Sequence, residues 1–143
     1  MRVVIDTNIW IRILLGGRIT LPILEAFNKE QFQLVMSQFL LDELHEVWQR
    51  PRLLKRIDSN QAMRLETQLK ERADWVSVVT TPPNCRDPKD LPVLATAIDG
   101  KADVIVSGDN DLRADDVLRT EMESRSIRLL GVNSFLSRLA SKA

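Results

Sequence analysis

An α/β/α three-layer sandwich around a central, mainly parallel sheet is the fold this sequence predicts. Two observations carry the prediction. Short β-branched runs such as Val3-Val4-Ile5 and Val104-Ile105-Val106 read as buried strands, and segments of helical spacing alternate with them along the whole chain. The 143 residues, 44% hydrophobic and 28% charged, have the size and composition of one globular domain covering 1–143.

The elements follow in order. The first strand ends at Asp6, and residues 21–28 read as helical. Gln33-Leu34-Val35-Met36 is a second strand, after which Ser37 caps a helix running to about Arg50, where Pro51 stops it. Residues 59–73 are rich in good helix formers. A third apolar run, 75–79, is closed by the loop Thr80-Thr81-Pro82-Pro83-Asn84. Over 90–100, Leu91, Leu94, Ala95 and Ile98 fall on one helical face, with Gly100 as the stop signal. Val104-Ile105-Val106 is the fourth strand, 115–124 a helix, 127–130 a fifth strand, and Asn133 the cap of a last helix through Leu136 and Leu139.

Ligands of open parallel sheets bind beyond the carboxyl ends of the strands. Four acids are expected on that rim: Asp6 after strand one, Glu43 in the second turn of the helix leaving strand two, Asp90 opening the helix after strand three, and Asp109 after strand four. Taken singly, Asp6 or Asp90 could be a cap and Glu43 a surface charge; the coincidence of four is the signal. On the helical wheel Leu40, Leu41, Leu44, Val47 and Trp48 form the apolar face with Glu43 at its edge, while Asp42 and Glu46 point to solvent and Glu46 pairs with Arg50. With no fixed cation expected nearby, these carboxylates repel one another, and a hard cation resolves the conflict. Mg²⁺ or Mn²⁺ suits all-oxygen ligands and can activate water for attack on a phosphodiester without a histidine base.

Together Asp6-Thr7-Asn8 after an apolar strand, Glu43, Asp90-Leu91-Pro92-Val93-Leu94-Ala95-Thr96-Ala97, and Val106-Ser107-Gly108-Asp109-Asn110-Asp111-Leu112 resemble the PIN-domain ribonucleases, nearest to the toxin branch of toxin-antitoxin pairs. The likeness runs from Val3 to about Leu136. It implies a metal-dependent endoribonuclease with Asp6, Glu43, Asp90 and Asp109 as catalytic metal ligands, Asp111 as an auxiliary ligand, and Asn8 and Ser107 as polar supports. Ser107 stands where the family more often has Thr. Asp87 is an extra acid upstream of Asp90 and shares its candidacy.

Charge excludes a global field for nucleic acid, since 20 basic residues balance 20 acidic ones, so RNA must be met by a local patch. Arg50, Arg52, Lys55 and Arg56 are the first candidates, and Arg113, Arg119, Arg125 and Arg128 form a second group. The single cysteine, Cys85, excludes an intramolecular disulfide and paired-cysteine zinc sites, and fits a reducing cytoplasm. The apolar start is broken at Asp6 and Arg12, too early for a signal core or a membrane span.

His45 is expected to be structural, and Trp10, Trp48 and Trp75 to be core or interface residues. A phosphoaspartate phosphatase would want a second aspartate where Asn8 stands, and a receiver domain an aspartate after strand three, where Thr80 and Thr81 stand. A housekeeping RNA-processing nuclease and a catalytically idle RNA- or protein-binding module remain as alternatives to the toxin. Expected partners are RNA, a cognate antitoxin and a second copy of the chain.

Overall fold

The computed structural model describes residues 1–81 and 90–141, and at 110 and 111 the backbone alone. Five strands, β1 (Arg2–Ile5), β2 (Gln33–Met36), β3 (Asp74–Trp75), β4 (Val104–Val106) and β5 (Arg128–Leu130), form one sheet in the order β3-β2-β1-β4-β5. Every pairing is parallel. The helices among the described residues are α1 (Thr7–Leu14), α2 (Leu21–Asn28), α3 (Gln38–Trp48), α4 (Pro51–Leu54), α5 (Ser59–Arg72), α6 (Leu91–Asp99), α7 (Asn110–Ala114), α8 (Asp116–Ser124) and α9 (Val132–Ser141).

All three residues of 3–5 and of 104–106 are buried. Neighbouring strand side chains point to opposite faces, so both faces of the sheet are covered and the molecule has three layers. Packed on this sheet, α6 touches β1, β2 and β4, while α3 packs against α1, α5 and α6, and α2 meets α9. Gly100, at the end of α6, permits a close approach: a Cβ there would lie 2.5 Å from Cγ1 of Val35 in β2 and 2.9 Å from the Thr96 carbonyl oxygen.

Three departures from the sequence reading have physical causes. Helix α1 was not anticipated, because Ile9, Ile11 and Ile13 are β-branched and Trp10 is aromatic, all weak helix formers. Burial of those four side chains, with Asp6 capping the first turn, outweighs that propensity. Strand β3 is two residues rather than five. Its register pairs Val35 with Asp74 and Met36 with Trp75, the Val76 N–H donates to the Met36 carbonyl, and the chain then leaves an edge that has no further strand partner among the described residues. Val79 is accordingly 86% exposed, and the carboxylate of Asp99 accepts from the N–H groups of Val79 and Thr80 instead. Finally, α9 begins at Val132, so Asn133 lies inside its first turn rather than capping it. Short helices α4 and α7 also lie outside the expectation.

Trp10 and Trp48 are core residues, whereas Trp75 is exposed on the edge strand with its indole N–H on the Lys70 carbonyl. Among the described residues no helix is long and apolar enough to cross a membrane.

Candidate functional site

The sheet reverses its winding at β1: β2 and β3 lie to one side, β4 and β5 to the other. Such a switch point opens a crevice at the carboxyl ends of the two strands that flank it, here β1 and β4. Asp6 follows β1, and Ser107, Gly108 and Asp109 follow β4. The parallel ladder continues one step past β1, with the Asp6 N–H donating to the carbonyl of Val106, the last residue of β4, at 2.9 Å.

Asp6 is 5% exposed and its two carboxylate oxygens are both engaged. The Asn8 N–H donates to Oδ1 at 3.4 Å, which makes Asp6 the N-cap of α1, and the Ser107 hydroxyl donates to Oδ2 at 3.3 Å. That same hydroxyl oxygen accepts the Asp109 N–H at 3.0 Å. Ser107 thus links the Asp6 carboxylate to the Asp109 backbone, two positions far apart in sequence. Asn8 contributes its backbone, while its side chain is exposed. Burial pushes the Asp6 carboxyl above its ordinary pKa; the two hydrogen bonds oppose that rise, the charge of half-buried Asp109 adds to it, and Arg12 offsets part of it.

Glu43 is carried on helix α3 and Asp90 at the start of helix α6. Glu43 is half-buried on α3, while Asp42 and Glu46 are exposed on either side of it, so the wheel phase is as expected. Glu46 pairs with Arg50 at 2.9 Å, also as expected. Asp90, 9% exposed, is the N-cap residue of α6, yet its carboxylate makes no capping hydrogen bond to that helix. The two helices are tied together by a buried hydroxyl pair, Ser37 Oγ and Thr96 Oγ1 at 2.8 Å. Thr96 donates its single proton to the Pro92 carbonyl at 2.7 Å, so Ser37 must be the donor to Thr96. Ser37 was expected as a cap for α3; its side chain makes no such bond and serves this tie instead.

Asp87 and Cys85 lie outside the described residues, as does the side chain of Asp111. Among the described residues no group of three or more His, Cys, Asp or Glu side chains is arranged to hold a metal ion. What is brought together is the pair Asp6 and Asp109 around Ser107. Its chemistry suits a hard divalent cation: the donors are carboxylate oxygens, one of them desolvated, and positive charge is what a raised carboxyl pKa calls for.

One expectation is corrected here. A fixed cation does stand at the rim: Arg12 of α1 lays its guanidinium against Gly108, between Ser107 and Asp109, and its charge reaches Asp6. The single charged residue of α1, set among Ile9, Trp10, Ile11 and Ile13, was the signal that could have found it.

The first basic group is exposed around α4, which packs beside α3, and Arg50 feels the Glu43 charge in addition to its hydrogen bonds with Glu46. The second group is not one patch. Arg113 lies against Gly131, just past the carboxyl end of β5, whereas Arg128 begins that strand and Arg119 pairs with Asp116. His45 is structural, its Nδ1 2.8 Å from Oε1 of buried Glu66, which also accepts the Trp48 indole N–H at 2.7 Å.

No curated protein matches this chain. A family model for the PIN domain matches residues 2–111, a span that holds β1 to β4 and the residues Asp6, Glu43, Asp90 and Asp109. PIN domains are generally nucleases that use divalent metal ions. With its parallel sheet, its switch point and the matched span agreeing, this chain belongs to the PIN-domain family.

Proposed function

We propose that this chain is a Mg²⁺- or Mn²⁺-dependent endoribonuclease that hydrolyses RNA phosphodiester bonds in the cytoplasm as the toxin of a toxin-antitoxin pair. The observation that supports this most directly is the Ser107 bridge between Asp6 and the Asp109 backbone at the switch point. On this reading Asp6, Glu43, Asp90 and Asp109 hold the ion, with Asp111 as auxiliary. A bound divalent ion supplies water activation and offsets charge on the phosphate and the departing oxygen.

The chain's own part is preorganisation. Ser107 and the Asn8 N–H hold both oxygens of Asp6, so the carboxylate keeps one orientation before any ligand arrives. The Ser37–Thr96 tie fixes α3, with Glu43, against α6, whose N-terminus carries Asp90. Exposed Arg50, Arg52, Lys55 and Arg56 lie beside α3 to take flanking phosphates, and an antitoxin would inhibit by setting an Arg or Lys among the acids.

The test is cleavage of single-stranded RNA in Mn²⁺ and Mg²⁺. Asp6→Asn and Asp109→Asn are expected to abolish it while cooperative melting persists, since each removes a ligand charge and little packing. Cleavage retained by purified Asp6→Asn would refute the site.

A further inference from the structure

We infer that Arg12 is a substrate-binding residue that takes an RNA backbone phosphate at the edge of the acidic crevice, in space that Gly108 leaves open for it. The inference rests on the nuclease reading above and adds a residue to it. Arg12 is the charged member of a helix whose Ile9, Trp10, Ile11 and Ile13 are buried, so its backbone is fixed by the core on the other side. A Cβ on Gly108 would collide with Nη1 of Arg12 and lie 3.0 Å from Cζ and 3.1 Å from Nη2. The guanidinium therefore occupies the space that any side chain at 108 would fill.

Two readings of such an arginine compete. As a counter-ion for Asp6 it would form an ion pair, but the hydrogen bonds of the Asp6 carboxylate are to Asn8 and Ser107, and among the described residues Arg12 makes no side-chain hydrogen bond or ion pair. As a phosphate ligand it would keep its planar fork of donors unspent and face solvent beside the acids, which is how it stands: exposed, seated on Gly108, next to Asp109. A monoanionic phosphodiester has the geometry that fork accepts, and a cation there lets an acidic crevice admit a polyanion.

The experiment measures binding of a fluorescein-labelled single-stranded RNA to the full chain by anisotropy, in chelator and in Ca²⁺, over a range of KCl. One lost phosphate contact lowers the slope of log Kd against log salt by about 0.7 for single strands, or about 2.6-fold in relative affinity over a fourfold salt change. Arg12→Gln is expected to show that loss of slope, with Kd raised about tenfold at low salt. Arg12→Lys is expected to keep the slope but bind more weakly, because the charge remains and the fork does not. Gly108→Ala, which the backbone tolerates because its φ is not positive, is expected to weaken binding in the wild-type background and to have no effect when combined with Arg12→Gln. Wild-type Kd and slope in Arg12→Gln, or purely additive effects of the two substitutions, would overturn the inference. Failure of the wild type to bind RNA in either buffer would remove the nuclease reading, and the inference with it.

Discussion

The buried carboxyl of Asp6 lends itself to a quantitative test, because its pKa is raised by burial and by the neighbouring charge of Asp109. A carboxyl whose pKa is higher in the folded state holds its proton more tightly when folded. Its contribution to stability is therefore fully present below the unfolded value, about 3.9, and is lost as pH rises through the folded value. Between the two values the loss runs at up to about 1.4 kcal/mol per pH unit. Unfolding entropy near 2.1 cal/mol/K per residue makes 1 kcal/mol about 3 °C in Tm for a chain of this length, so the steepest part is about 4.5 °C per pH unit. Asp6→Asn removes the charge and keeps an acceptor for the Asn8 N–H, while its amide can donate to Ser107 Oγ. The hydroxyl proton of Ser107 must then find another acceptor, a cost of about 1 kcal/mol that is the same at every pH. The variant's Tm relative to wild type, measured in chelator from pH 4 to 8, should hence rise with pH and then level off. In Mn²⁺ at 100 times its Kd the wild type should gain about 2.7 kcal/mol, near 9 °C, and Asp6→Asn less. A Tm difference that is flat from pH 4 to 8 would show that Asp6 is not a strained carboxylate and would remove the electrostatic argument for a cation.

Two further substitutions test the frame that carries the site. Glu66→Ala leaves the buried Trp48 indole N–H without its acceptor and should cost about 3 kcal/mol, near 10 °C in Tm, whereas Glu66→Gln keeps an acceptor oxygen and should lose less than half of that; equal losses would show that the hydrogen bond is not what matters. Gly100→Ala drives a methyl into Val35 and the Thr96 carbonyl and should lower the urea midpoint by the equivalent of about 1–3 kcal/mol at unchanged m-value; an unchanged midpoint would mean that α6 can shift away from the sheet at no cost.

What was legible in the sequence was what burial writes into composition. The last three residues of β1 and of β2 and all three of β4 are buried, and these apolar runs mark both the strands' place and their parallel surroundings. The placing of Asp6 and Asp109 follows from β1 and β4, since a residue just past a strand end is positioned by the strand. Less legible was whatever depends on a distant partner. The length of β3 is set by where β2 stops offering hydrogen bonds, so apolar content at 76–79 gave no measure of it. Helix α1 is held by packing against propensity. The Ser37–Thr96 tie and the seat of Arg12 on Gly108 join residues that nothing in the linear sequence connects.

The order β3-β2-β1-β4-β5 also sets a clock on synthesis. Asp6 leaves the ribosome well ahead of its partner, because the hydroxyl that holds it comes from Ser107, 101 residues later. At roughly 5–20 residues per second that interval is about 5–20 s, during which the nascent chain carries one half of the crevice and not the other. Because β4 must insert beside β1 before Ser107 and Asp109 arrive, the acidic pair assembles only when most of the domain has been translated. A ribosome making this protein thus holds an incomplete pair of acids until β4 and the residues after it have been added, and a chain truncated before Val104 never completes the pair.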